Sequence, residues 1–479
     1  MTTIIPSVLK MSIMNENQAT AVSTEIIDPD TFNSVKGNFA KARFLLPKKF
    51  SAIASGNLVY RINWEGKTSA PVNTNVSLSR IAGGLTALKE ARLYIGKEVS
   101  RTVELGKLLC CEAHLSGWEH HTEILDLKHL GNHQYSYDSD GLLQLTPDKL
   151  NGVSIREMRD ETGFGCEISV PFKHLFPMFM DMLVPTGSGL KDDIIIEIDF
   201  TQQYSDIAVE SGDGTITVAD KVVSIKTPHM LVDYIQYPDV IANALNDQLQ
   251  SPEGQSVMYR QKSLVRSTLD AILTDDTEQT KDIPLGFNNR SVLGFTVAKL
   301  NTAETNNQLL KCRSDGQNKE KYNVIVNNKV LFDRDLENPS DMYNHLNQTY
   351  DGTMEILSGT YEATGQYATA NHNIFSDSVF NGSSVYAGNL TTAVQDAYQG
   401  RMKYLGINLA KIDNKEDVPS NAVKIGPDGL VFRYSRNSGA DGESQGNNTR
   451  TKSAVEMLFW VHNVSALVIK NGRAQKIDL

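Results

Sequence analysis

The chain has 479 residues, 40% apolar and 22% charged, a globular rather than a disordered composition with room for two or three domains. Its formal charge of −11 counts against a nucleic-acid coat working through a basic face. Four scattered cysteines (Cys110, Cys111, Cys166, Cys312) argue against a disulfide framework or a zinc ribbon, and no apolar run approaches the roughly 20 residues of a membrane span.

The opening MTTIIPSVLKMSIMNEN has no basic lead before its short apolar stretch, so no secretory signal is expected. Residues 1–40 carry little pattern and are expected to form an arm. From 41 onward the period is mostly two. Leu58, Tyr60, Ile62 and Trp64 alternate with wetter residues, as do Cys166, Ile168, Val170 and Phe172, and Ile194, Ile196, Ile198 and Phe200. Each set predicts a strand with one face on a core. Phe172–Leu183, holding Pro177 and closed by Pro185, predicts a short helix or turn between strands, and weak helix candidates lie at Ile81–Leu88, Val240–Leu249 and Thr391–Tyr398. Residues 241–282 are polar and read as a connection. The second half, 283–479, repeats the alternation in Tyr322/Val324/Val326, Leu405/Ile407/Leu409, Leu430/Phe432/Tyr434 and Val455/Met457/Phe459/Val461. It holds 24 of the 36 asparagines, which favours turns and loops over helix. Asn471-Gly472, after Ala466–Ile469, suits a type I′ hairpin. Many strands with few short helices make the fold class all-β, two sandwiches at 41–240 and 283–479.

Chemistry-bearing motifs are scarce. The densest cluster is Glu119, His120, His121, Glu123, Asp126, His129 and His133, residue types that bind zinc. HExxH is absent, and Gly131 disfavours the helix that would align His129 with His133, so a polar loop is the plainer reading and metal binding stays an open alternative. Asp138-Ser139-Asp140-Gly141 looks like part of a calcium loop, but the position needing its last carboxylate is Pro147, which leaves a turn. Gly187/Gly189 and Gly212/Gly214 lack the strand–loop–helix setting of a phosphate cradle, and neither GxxxxGK[ST] nor GxSxG occurs. Cys110-Cys111 lack a CxxC partner. The sequence nominates no catalytic, cofactor-binding or metal-ligating residue and argues for a protein that is not an enzyme.

The segment 160–235 is the informative one: ETGFGCEISVPFKHLFPMFMDMLVPTGSGLKDDIIIEIDFTQQYSD, then VVSIKTPHMLVDYIQYPDV. A strand ending in proline, an apolar turn-helix, a glycine-containing loop, an Ile-rich strand and a strand closing on Tyr-Pro-Asp follow in order. This resembles the first jelly roll of major capsid proteins of polinton-like viruses and virophages, within the double jelly-roll lineage of DNA viruses. Arg43–Pro47 with Leu58–Trp64 is similar to that family's opening strand pair, and Ala91–Glu104 to its strand-turn-strand. The resemblance implies two consecutive eight-stranded jelly rolls. Asp335–Gly400, with eight acids and no lysine or arginine among many Gly, Ser, Thr and Asn, has the composition of long loops and is expected on the outer surface. The resemblance also implies trimers forming pseudo-hexagonal capsomers in an icosahedral virion shell, assembled inside the infected host cell. Expected partners are neighbouring capsomers, penton and minor or cement proteins and, in some members, an internal membrane, with no sequence-specific nucleic-acid binding. Two other readings stand beside it: an all-β carbohydrate-binding protein or glycosidase, and a minor or spike capsid component.

Overall fold

The computed structural model describes residues 21–64, 75–78, 84–109, 136–137, 143–144, 159–160, 163–211, 222–270, 278–301, 321–336, 404–409, 419–437 and 454–479. They form two β-sandwiches in sequence.

The first uses β1 (Ala21–Ile27), β2 (Thr31–Val35), β3 (Phe39–Leu46), β4 (Ala52–Trp64), β5 (Leu88–Ile95), β6 (Lys97–Val103), β7 (Gly163–Pro171), β8 (Ile194–Thr201) and β9 (Val223–Gln236). One sheet runs β1-β9-β4-β7 and the other β2-β3-β8-β5-β6, all pairs antiparallel. The alternation in β8 works as expected, with Ile194, Ile196, Ile198 and Phe200 fully buried. In register, Ile196 lies between Phe44 of β3 and Leu93 of β5, both also buried. Across the sandwich the Tyr60 ring of β4 meets Phe200 edge-on at 5.0 Å, and its hydroxyl donates to the Gly84 carbonyl at 2.9 Å.

A helix, α1 (Asp239–Gln250), leads into the second sandwich and buries Leu245 and Leu249. That sandwich uses β10 (Gln255–Leu269), β11 (Glu278–Gly286), β12 (Ser291–Asn301), β13 (Lys321–Val326), β14 (Tyr404–Asn408), β15 (Leu430–Asn437), β16 (Val455–Lys470) and β17 (Arg473–Asp478). One sheet runs β10-β16-β12-β14 with β17 also on β16; the other runs β11-β15-β13. Phe295, Phe432 and Phe459 pack between the sheets at centroid distances of 5.3–6.3 Å. Asn471 and Gly472 take φ of 52° and 76°, the type I′ turn their sequence predicts. Phe172–Leu175 and Pro177–Met180 are short helical turns, as Pro177 requires.

Two expected boundaries change. Residues 21–40, read as arm, supply β1, β2 and the start of β3, each paired within the first sandwich, so this sandwich exceeds eight strands. The stretch 241–282, read as connection, holds α1 and the 15-residue strand β10, every residue of which pairs with β16. β10 is a sheet-edge strand with most side chains half-buried, so it shows no clean alternation to read. The expected helix at Thr391–Tyr398 and all but the first two residues of the expected loops at 335–400 lie outside the described residues, and of Ile81–Leu88 the structure describes a short 3-10 turn, Gly84–Ala87, leading into β5.

Ile196→Asp is expected to cost roughly 3–5 kcal/mol, because the carboxylate has no partner between Phe44 and Leu93. Glu197→Ser, one residue along on the wetter face, should cost about 1 kcal/mol or less. Urea denaturation of both variants checks the register of β8.

Candidate functional site

Distant parts of the chain jointly build the junction between the sandwiches. Its centre is β16, which has Val455, Met457, Phe459 and Val461 buried as the alternation predicts, but also Leu458 and Trp460. The signal was present as the unbroken apolar run Met457–Val461, since a strand buried on both faces loses its alternation. The second face meets the first sandwich. Trp460 Nε1 donates to the Val103 carbonyl of β6 at 3.0 Å, and Leu108 joins the second sandwich's core. In the other direction, Tyr259, Leu467, Ile469 and Ala474 join the first core.

Polar groups lock this contact along its length. The Tyr259 hydroxyl donates to the Val99 carbonyl at 2.5 Å, and burial raises its pKa above the ordinary tyrosine range. Arg260 Nε donates to Asp181 Oδ1 at 2.9 Å while its backbone N–H donates to Oδ2 of the same carboxylate at 2.7 Å. Arg266 pairs with Glu104. At the far end, Ala474 N–H donates to Asp192 Oδ2 at 2.7 Å and Lys191 N–H to the Gly472 carbonyl at 2.8 Å. Glycine is required there, because a Cβ on Gly472 would lie 2.5 Å from the Gly189 carbonyl oxygen.

These contacts align the sandwiches, and the registers then fix their ends. In the first, Trp64 lies opposite Val223 and Phe164, Thr201 opposite Phe39, and Glu90 opposite Val103. The connections 65–74, 79–83, 110–162 and 212–221 all attach at this end. In the second, Leu269 and Asn301 lie opposite Val455, and Glu278 opposite Asn437. Here 271–277, 302–320, 337–403 and 438–453 attach. The Trp460–Val103 and Arg266–Glu104 contacts place these two ends on the same side. The opposite side carries the turns at 47–51, Gly96, 287–290, 327–328 and 471–472, and also the longer connections 172–193, with its helical turns, and 237–254, with α1; 410–418 attaches there as well. The double sandwich therefore has two unlike ends, a loop end from which most of the undescribed segments leave and a turn end that holds the described turns and α1.

The outer face of the β2-β3-β8-β5-β6 sheet carries a charge ladder. Arg92 donates to Glu90 at 2.6 Å, to Glu197 at 3.1 Å and to Asp199 at 2.7 Å; Arg101 donates to Glu90 at 2.6 Å and Lys41 pairs with Glu197 at 3.2 Å. Burial alone would raise the Glu90 and Glu197 carboxyls, but hydrogen bonds from Arg92, Arg101 and Lys41 outweigh it and hold both below the usual range. A cleft of about 460 Å³ beside them, lined by Lys41, Glu90 and Asp199, has those charges spent on one another.

Glu119–His133, Asp138–Gly141, Cys110, Cys111 and Cys312 lie outside the described residues, and Cys166 falls in β7. Among the described residues, no three His, Cys, Asp or Glu side chains are grouped to hold a metal ion.

No protein-family model matches the chain, and no curated protein matches it in sequence. Solved structures do match. PBCV-1 VP54, fitted into a reconstruction of the virophage Sputnik, aligns over 95% of this chain and 97% of its own with a TM-score of 0.59 and 12% identity. The Sputnik virophage structure aligns over 96% and 89% (TM-score 0.51, 11% identity), and the Faustovirus major capsid protein over 94% and 91% (0.50, 8%). The fold is the double jelly roll. Both jelly rolls are covered in each alignment, so the likeness includes the way the two are joined.

Trp460→Ala should destabilise the protein by about 3–5 kcal/mol, from the cavity and the unpaired Val103 carbonyl, and Tyr259→Phe by about 1–2 kcal/mol. Both are read by denaturant melts. A pH effect follows from His462, whose Nε2 lies 3.2 Å from Thr296 Oγ1. Desolvation, then Lys262 and Arg260, hold its pKa well below the usual value. The unfolded chain takes up this proton near pH 6.5 and the folded one does not, so stability is full above that pH and falls as pH drops, by up to about 1.4 kcal/mol per unit. His462→Gln should remove that slope.

Proposed function

We propose that this chain is the main building block of an icosahedral viral shell, a structural protein that is not an enzyme, located in the virion and built into trimers. The observation that carries the reading is the double roll itself, two similar sandwiches fixed in parallel by a two-faced strand so that their strand ends coincide. Three such chains around an axis present six similar walls, and a six-sided tile packs a closed shell. The structures it is similar to include the PBCV-1 virus capsid and the Faustovirus major capsid protein. A net charge of −11 suits a wall that does not itself neutralise phosphate. Neighbouring tiles, penton and minor proteins are its partners in this reading.

The loop end faces outward. Between Asp335 and Gly400 the sequence has eight acidic residues and no lysine or arginine, a composition repelled by a polyanionic genome within the screening length of about 8–10 Å. Limited proteolysis of intact particles should cut in 337–403 before any cut on the turn-end side; cuts there only after rupture would reverse the orientation.

Light scattering at micromolar concentration is expected to give the mass of a trimer, and electron microscopy six-sided particles. Such an interface commonly buries more than about 2,000 Å². A stable monomer that binds sugar would replace this reading with the carbohydrate-binding one.

A further inference from the structure

Among the described residues the two sandwiches repeat one plan. In chain order, β1, β3, β4, β5, β6, β7, β8 and β9 correspond to β10, β11, β12, β13, the short strand Lys329–Val330, β14, β15 and β16. The sheet orders agree strand for strand. β1-β9-β4-β7 matches β10-β16-β12-β14, and β3-β8-β5-β6 matches β11-β15-β13 followed by Lys329–Val330. β2 and β17 are additions to this plan.

The junction within the chain uses one half of the repeat. The second sandwich presents its edge strand β10 and the outer face of β16 to β6, the edge strand of the first, through Tyr259 on Val99 and Trp460 on Val103. The counterparts of those surfaces are β1 with the outer face of β9 in the first sandwich, and the edge strand Lys329–Val330 in the second. Each lies on the flank of its sandwich away from the junction, since β1 runs into β2, at the opposite end of its sheet order from β6, and Lys329–Val330 ends the sheet that β11 begins. Both carry exposed apolar side chains. Val22 and Ile26 are 66% and 71% exposed, and Val330 and Leu331 are 53% and 41% exposed. Their heights agree as well: Val22 pairs with Ile235 next to the turn end of β9, and Lys329 pairs with Val326 across the 327–328 turn at that same end.

We propose that β1 and the outer face of β9 of one chain pack on Lys329–Leu331 of the next, repeating between chains the junction that each chain makes within itself. The inference rests on the trimer reading above and names its contact surface: Val22 and Ile26 of one copy against Val330 and Leu331 of another. The two surfaces differ, so the contact is heterologous, and three such contacts close a ring in which all turn ends point the same way. An apolar sheet edge left bare templates unwanted pairing, and closing the ring covers it.

The mass of each variant in solution tests the surface. Val330→Asp, and Val22→Asp with Ile26→Asp, should each raise the concentration at which the trimer dissociates at least about tenfold, with the urea midpoint of the chain itself unchanged because these positions are exposed. Leu45→Asp is the control, 48% exposed on the outer face of β3, which the repeated junction does not use, and should leave the trimer intact. A chain carrying Val22→Cys and Val330→Cys should form a disulfide between chains at least about tenfold faster than one carrying Leu45→Cys and Val330→Cys, with peptide mass separating the link from native cysteines. A wild-type monomer would remove the trimer and this contact together. A wild-type trimer that survives both aspartate variants, or a 22–330 link no faster than the control, would overturn the contact alone.

Discussion

Burying both faces of β16 is the constraint on which the rest of the molecule depends. An antiparallel strand normally leaves one face to water, and its sandwich can then tilt freely against a neighbour. Here Leu458 and Trp460 turn the second face into core, and the indole N–H is satisfied by a carbonyl of β6. Apolar burial alone is non-directional and would allow the sandwiches to slide. The hydrogen bonds from Tyr259, Arg260 and Ala474 each pair a fixed residue of one sandwich with a fixed residue of the other, and so set the alignment.

That alignment turns a local property into a global one. Within either sandwich, antiparallel pairing only decides which strand ends lie together. Once Val99 lies at Tyr259 and Asp192 at Ala474, the turn ends of the two sandwiches coincide, and so do their opposite ends. The charge ladder serves a complementary purpose. Glu197 and Asp199 lie on the face of β8 turned away from the core, and basic residues flank them on both neighbouring strands, giving the outer face a polar surface that is internally neutralised. Such a face contributes modestly to stability but does not invite apolar association.

Wherever one face of a strand meets a core and the other meets water, the sequence was legible. The Ile194–Phe200 set, the Leu430–Tyr434 set and the Asn471-Gly472 turn were placed from alternation and turn chemistry alone. The weak helix at Val240–Leu249 held because Leu245 and Leu249, one turn apart, both reach the core. What failed to show were strands with no clean face. β10 has half-buried side chains along most of its length, and β1 and β2 expose most of theirs. The junction was legible only in part: the run Met457–Val461 announces two buried faces, but nothing local says that the second face meets Val103, 357 residues away. Likewise Glu197 and Asp199 read as merely wet positions, because a strand's own sequence does not name its neighbours.

This explains how the fold persists at 8–12% identity to the structures it resembles. Alternation asks for an apolar residue at every second position without specifying which one, and cores tolerate hydrophobic exchange when volume is kept. Turn positions of positive φ favour Gly or Asn, as at Asn289, Asn327, Asn328 and Asn471, and even there Glu104, Thr227 and Phe287 are accommodated. A residue-by-residue comparison sees few identities because almost nothing in a sandwich wall demands a particular side chain. The exceptions are contacts where one atom must meet another across the junction, and these are few: an indole N–H on a carbonyl, a phenol on a carbonyl, and a glycine against a backbone oxygen. The alignment requires that atoms of the two sandwiches meet across the junction, a demand on their parallel setting that a one-dimensional pattern of alternation does not express.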